Sequence, residues 1–363
     1  MKMNGEMKMA EFSFDLDFEQ SLIQTTLEKA FQKTYSLEEL RHSVAQPGIH
    51  EGVKALLKDQ GILAMLNPIE TGESYLMFGT LLNIESGKRL VAFPVLEQIM
   101  GIYALKQLGQ FESEVEQYEV AEKIVTVGWN SKKLEVKNER LHGTIENIPF
   151  AEDAQQIVVP LEQNKLLVIT KDAVAHLLEP TKVHDVTYPQ FKLSLEDVAI
   201  GEEIQVFDIE LDNFNRVTQL FIASQLYGIA QECFEMTLAY AKERKQFGTE
   251  IGRFQAVKHM LADMYVMCES AKTVVEYGSW AIETGGEDHE IVGSIAKAYT
   301  SDAAIQVVQQ AIQLHGAIGF TWEHDLHFYL KRAYRLSKMY KTEYQEKDII
   351  MNFIINNNPK NPQ

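Results

Sequence analysis

Arg244-Lys245-Gln246-Phe247-Gly248, followed by Phe254-Gln255 and later by Gln313-Leu314-His315-Gly316-Ala317-Ile318-Gly319-Phe320-Thr321, is the stretch on which the fold turns. Each piece sits at the end of a long run of helical period. Apolar residues recur at three and four along Arg216 to Arg244, Phe254 to Thr284, His289 to His315 and Asp325 to about Ile355. Each run of roughly thirty residues would be about 45 Å long as a helix. The connections between them are short and carry Gly248, Gly252, Gly285, Gly286, Gly316 and Gly319, as expected just past helix ends. Long helices joined by short loops predict an antiparallel four-helix bundle. At its ends a basic side chain, amides and bare glycine backbone are placed to meet a phosphate-bearing ligand.

Working outward, residues 11–118 read as an α-helical unit. Leu22, Ile23, Leu27, Ala30 and Phe31 keep the helical period, as do Val53, Leu56 and Leu57 before the stop at Gly61. Residues 119–211 change texture. Short Val/Ile/Leu-rich segments such as Ile124 to Val127, Gln156 to Val159 and Lys165 to Thr170 are divided by Asn, Gly, Pro and Asp, which predicts a small barrel-like β unit. The bundle spans 212–355, and 356–363 read as a polar, frayed tail.

Composition bounds the partners. The 363 residues are 45% hydrophobic and 24% charged, in the range of a globular protein with a large core. A net charge of −18 and the lack of a Lys/Arg block exclude a nucleic-acid footprint and disfavour anionic membranes. No apolar run reaches the ~18 residues that cross a bilayer, and Met1 to Ala10 lacks a signal-peptide core, so a cytoplasmic location is expected. Cys233 and Cys268 sit among apolar neighbours in helical patterns and read as buried small hydrophobes. His324 and His327 lie near Glu323, Asp325 and His315, but no cysteine joins them, and no metal site is assigned.

An α unit, a β unit and a four-helix bundle, in that order, resemble the acyl-CoA dehydrogenase family over nearly the whole chain. Arg244 to Gly248 and Phe254-Gln255 are similar to its Arg-x-x-Phe-Gly and Phe-Gln signatures, and Gln313 to Thr321 resembles its glycine-bearing loop. Phe12-Ser13-Phe14, Gly61-Ile62-Leu63 before Pro68, and Glu85-Ser86-Gly87-Lys88 agree more loosely. The resemblance implies FAD as cofactor and an acyl thioester as substrate, on CoA or a carrier protein. It further implies a homo- or hetero-oligomer, dimeric or tetrameric, with FAD between chains. Arg244 and Gln313 would bind the pyrophosphate across a subunit boundary, with Gln246, Phe247 and Phe254 beside the cofactor and Gly316 and Gly319 admitting it to the backbone.

The pattern breaks at the base. The family removes an α-proton with a glutamate while the flavin takes the β-hydride. In this chain Lys341 stands in that context, within Met339-Tyr340-Lys341-Thr342-Glu343, and a lysine of ordinary pKa is protonated at neutral pH. A second position used by some members falls on Thr218, flanked by Gln219. Glu343, two positions past Lys341, is the remaining catalytic candidate. Val125 to Ser131 also replaces the family's Thr-Glu-Pro-x-x-Gly-Ser-Asp stretch. Phe320 to His327 is similar to short members that pair two different subunits, only one of which supplies the base. Three functions therefore stay open: an acyl thioester desaturase, a non-catalytic subunit that completes a cofactor site, or a flavin oxidase or monooxygenase on the same scaffold.

Overall fold

A computed structural model describes residues 16–64, 75–131 and 134–357; Phe12 to Phe14, Pro68 and the tail beyond 357 lie outside them. The chain opens with α1 (Phe18–Thr34), α2 (Leu37–Ala45) and α3 (Glu51–Gln60), followed by α4 (Tyr75–Arg89), α5 (Val95–Leu108) and α6 (Glu112–Glu119). Local signals set their ends. Asp17 and Gln20 form a capping box on α1, Ser36 caps α2, and Gly61 closes α3 in the left-handed region at φ 60°. Buried Leu27 and Phe31 carry the inner face of α1, whereas Leu22 is 56% exposed.

Next come two four-stranded sheets. One runs β1 (Val125–Val127), β4 (Gln156–Leu161), β5 (Lys165–Thr170), β8 (Ile204–Asp208), with β1 parallel to β4 and the rest antiparallel. The other runs β2 (Glu135–Lys137), β3 (Arg140–Pro149), β7 (Gln190–Ala199), β6 (Leu178–Thr181), all antiparallel. Leu141, Ile145, Ile157, Val159, Leu167 and Leu193 fill a core of their own between them.

The bundle consists of α7 (Asp212–Glu243), α8 (Gln255–Thr284), α9 (Val292–His315), α10 (Leu326–Lys338) and α11 (Glu343–Asn356), with the short hairpin β9 (Lys245–Gln246) and β10 (Thr249–Glu250) after α7. Helix α7 packs against both the bundle and α4. The α4 crossing is so close that a Cβ on Gly228 would lie 2.1 Å from the Ile84 carbonyl oxygen, and one on Gly87 2.2 Å from that of Gln225. One expectation needs correction. The run from Asp325 to Ile355 is two helices rather than one, because Tyr340 adopts φ 65° and Thr342 starts a new helix through a capping box with Gln345.

Candidate functional site

The two signature stretches end up at one end of the bundle. Arg244 is the C-cap of α7 and Gln313 lies in the last turn of α9, and the rings of Tyr240 and His315 stack at 4.3 Å between those helix ends. The Arg244 guanidinium is exposed and has no ion-pair partner among the described residues. Gln246 is exposed on β9, and Phe247, at φ 52°, is 93% exposed with its ring edge-on to Phe254 at 6.2 Å. Glu250 does engage the neighbouring Lys245 and Arg253. A free fork of donors, exposed amides and an uncovered aromatic ring suit an anionic, ring-bearing ligand.

The glycines have local reasons as well. Gly316 turns the chain at φ 67° with nothing within 4 Å of where a Cβ would stand, and a Cβ on Gly319 would meet the Ile312 carbonyl oxygen at 2.8 Å. Gly319 is thus required by packing on α9 itself, while the open space at Gly316 leaves its backbone approachable. Beyond this loop, Arg41 of α2 binds the Glu323 carbonyl at 2.5 Å and Asp325 at 2.9 Å. Nδ1 of His315, His324 and His327 is bonded to a backbone group in each case, Nε2 of His327 is buried with no hydrogen-bond partner among the described residues, and burial lowers the pKa of all three. Among the described residues no group of three or more His, Cys, Asp or Glu is placed to hold a metal.

Met339 to Thr342, between α10 and α11, is held from beneath by a lysine that the sequence did not single out. Lys297 of α9 has a fully buried side chain, and its ammonium donates to the carbonyls of Met339 and Lys341 and pairs with buried Glu346 at 3.3 Å. Burial lowers its pKa, against the pull of Glu346, to about 8. Gln219 donates to Glu346 at 2.7 Å, so the residue next to Thr218 serves this cluster; Thr218 is itself buried and brings no carboxylate. Above the connection, Tyr340 bonds Asn215 and lies edge-on to Trp129 at 5.7 Å, and Trp129 donates to Glu97 at 2.9 Å. A cleft of about 340 Å³ opens here, lined by Trp129, Asn130, Asn147, Gln190, Arg335 and Tyr340 among others. Glu343 lines no part of it. Its carboxylate is bonded by Lys347, which also reaches Asp302 at 3.3 Å, and that bond holds its pKa below the usual carboxylate range.

A second, more apolar cavity of about 470 Å³ lies between α4, α5 and α7. Leu76, Ile99, Met100, Ile102, Val217 and Phe221 form most of its wall, and Tyr75, Tyr103, Lys106, Gln107, Glu210 and Asn213 add polar groups. Glu210, exposed, is its only carboxylate among the described lining residues. The sequence reading missed this cavity, because its walls come from segments more than a hundred positions apart.

A helical front, a two-sheet middle and a long-helix bundle with a donor-rich end make up the described residues. Residues 213–350 match the family model described as acyl-CoA dehydrogenase, C-terminal domain. An acyl-CoA dehydrogenase, IpdE2, of Mycolicibacterium smegmatis is 29% identical over 320 residues, covering 87% of this chain and 92% of that protein. The ChsE4-ChsE5 complex of Mycobacterium tuberculosis matches with a TM-score of 0.84 at 18% identity, over 96% of this chain and 100% of that one. Butyryl-CoA dehydrogenase of Megasphaera elsdenii matches with a TM-score of 0.80 at 17% identity, over 94% and 100% of the two chains. The bundle matches the C-terminal domain of acyl-CoA dehydrogenases, and the chain as a whole shares their fold and is similar in sequence to one of them along most of its length. The FAD complex of PigA also shares the fold, with a TM-score of 0.80 at 18% identity over 94% of this chain and 99% of that one.

Proposed function

We propose that this chain takes part in FAD-dependent α,β-desaturation of an acyl thioester as the partner that completes a flavin site without supplying the base. The observation that supports this reading is the Met339–Thr342 connection, which carries Tyr340 and Lys341 in the sequence context where acyl-CoA dehydrogenases have their glutamate. The substrate is carried on CoA or a carrier protein, and its acyl group occupies the α4–α5–α7 cavity. FAD, when bound, supplies the hydride acceptor. Arg244 holds its pyrophosphate by charge-assisted hydrogen bonds, Gln313 and Gln246 add amide donors, and Phe247 and Phe254 cover an aromatic face. Gly316 and Gly319 keep side chains out of that approach. The neighbouring chain of the dimer or tetramer carries the glutamate. A cytoplasmic location belongs to the same reading; no helix among the described residues is long and apolar enough to cross a membrane.

Purified alone, the full chain is expected to be colourless and to stay so after FAD is added. Co-purified with a family member that has the glutamate, it should yield a yellow complex. Arg244→Ala in this chain should weaken flavin retention there by about 1.5–3 kcal/mol, the scale of a hydrogen bond to a charged group. Unchanged flavin occupancy in that variant would remove Arg244 from the site. Yellow colour in the isolated chain, bleached by an acyl-CoA without oxygen, would return catalysis to this chain. The second reading is Glu343 as the chain's own base, which requires its carboxylate to leave Lys347 and turn toward the cleft. In that case Glu343→Gln should abolish the bleaching, and an undiminished rate would eliminate it.

A further inference from the structure

The α4–α5–α7 cavity carries more information than its size. Its walls would be filled as well by Phe as by Tyr at position 103, yet α5 presents a phenol, and α7 presents Asn213 to it at 2.5 Å from Nδ2 to the phenolic oxygen. The Tyr103 ring is held by Phe214 at 6.4 Å, centroid to centroid. Tyr75 adds a second phenol to the same cavity. Burial raises the pKa of both, that of Tyr75 to about 12, so both remain neutral donors at physiological pH.

The hydrogen-bond arithmetic of the Tyr103–Asn213 pair leaves one donor over. Gln107 bonds the same phenol, and with both amides donating to its oxygen the hydroxyl hydrogen is free to point into the cavity. With the amide turned the other way, the hydroxyl donates to the amide oxygen and the NH₂ group has hydrogens to spare. Either arrangement asks the occupant for an acceptor. Charge does not narrow which acceptor. Lys106 is paired with Glu119, Glu210 adds an exposed carboxylate and the Arg216 guanidinium acts on Tyr103, so the charges around the cavity are of both signs and the free donor itself calls for an oxygen acceptor.

We infer that Tyr103, positioned by Asn213, is a specificity-determining residue that selects acyl groups bearing a keto or hydroxyl oxygen over plain alkanoyl chains. This rests on the reading of the cavity as the acyl pocket. An unused donor in an apolar wall is costly to bury against a hydrocarbon, which is why a site built around one discriminates well against the analogue lacking the acceptor.

The test is calorimetric binding of straight-chain acyl-CoA thioesters and their oxo counterparts of matched length to the full chain in the assembly in which it purifies. At one position of the keto group the oxo ligand should bind about tenfold tighter, the scale of one hydrogen bond and its avoided desolvation. Tyr103→Phe should erase that preference, the oxo ligand losing affinity and the alkanoyl ligand gaining it as the unused donor disappears from the wall. Asn213→Leu, near the start of α7, is a second variant should the first not fold, and should blunt the same preference. Equal affinity for both ligands at every keto position would overturn the inference and leave the acyl-pocket reading standing. A preference that survives both substitutions would also overturn it. Failure of every thioester to bind would overturn the pocket reading, and this inference with it.

Discussion

Asp185→Asn is expected to destabilise the fold by about 3–5 kcal/mol, the range for removing one partner of a buried ion cluster. Asp185 lies between β6 and β7 with 3% of its surface exposed, and Arg332 of α10 is wholly buried against it. Nε of Arg332 donates to Oδ2 at 2.5 Å and Nε of Arg335 to the same oxygen at 3.1 Å, while the Thr187 hydroxyl donates to Oδ1 at 2.6 Å. Both guanidinium groups lie over the ring of Tyr188, at 4.5 and 3.9 Å, and the Tyr188 hydroxyl donates to Glu97 of α5 at 2.5 Å. One carboxylate thus ties the second sheet to the bundle and, through Tyr188, to the helical front. An amide keeps the shape and removes the charge, which strands Arg332 in a place that water does not reach and leaves Arg335, at the wall of the cleft, without its carboxylate.

The pH dependence of the wild type checks the same point. Burial pushes the Asp185 carboxyl up, but Arg332 and Arg335 outweigh it and hold its pKa below the usual carboxylate value. A depressed carboxylate contributes stability that is complete above its unfolded pKa, near 3.9, and is lost as pH falls through the lower folded value. Denaturant titration of Asp185→Asn should therefore show a lower midpoint at neutral pH and a smaller further loss in acid. A loss below about 1 kcal/mol would mean that Glu97 or solvent compensates the arginines, and the clamp would not be what holds the layers together.

The sequence announced the helices and hid what fixes them. Period and glycine placement delivered α7, α8 and α9 because the apolar stripe that buries a helix is written locally. The break between α10 and α11 was legible as Thr342-x-x-Gln345, but apolar residues continue on both sides and the run reads as one helix. The buried charges were not legible. A lone Lys297 or Arg332 in an amphipathic pattern reads as a solvated face, and the partners stand 49 and 147 positions away. The donor-rich edge was visible because signature residues cluster in sequence. The acyl-sized cavity was not, since Tyr103 and Asn213 meet only through folding, 110 positions apart.

Lys297→Met should be as damaging as the loss of Asp185, about 3–5 kcal/mol, and for a related reason. The side chains of Lys297 and Glu346 are both fully buried, so truncating the cation leaves a carboxylate with only Gln219 for support. The carbonyls of Met339 and Lys341 lose a donor at the same stroke, at about 1–3 kcal/mol for each that stays unsatisfied. Those carbonyls flank Tyr340, whose left-handed backbone carries strain on the order of 1–3 kcal/mol that the ammonium offsets from below. Lys297→Met combined with Glu346→Met should recover much of the loss, since the stranded charge disappears, yet remain below wild type because the carbonyls are still orphaned. A double variant no better than the single one would show that the ammonium acts through the carbonyls alone. The sign with pH is also fixed. Burial lowers the Lys297 pKa to about 8, whereas the unfolded chain keeps that proton to about 10.4, so stability from this group rises with pH between those values. Lys297→Met should flatten that rise, and hydrogen exchange over Met339 to Thr342 should quicken well beyond exchange in α7, because the connection that faces both Trp129 and the cleft loses the contact that holds its turn.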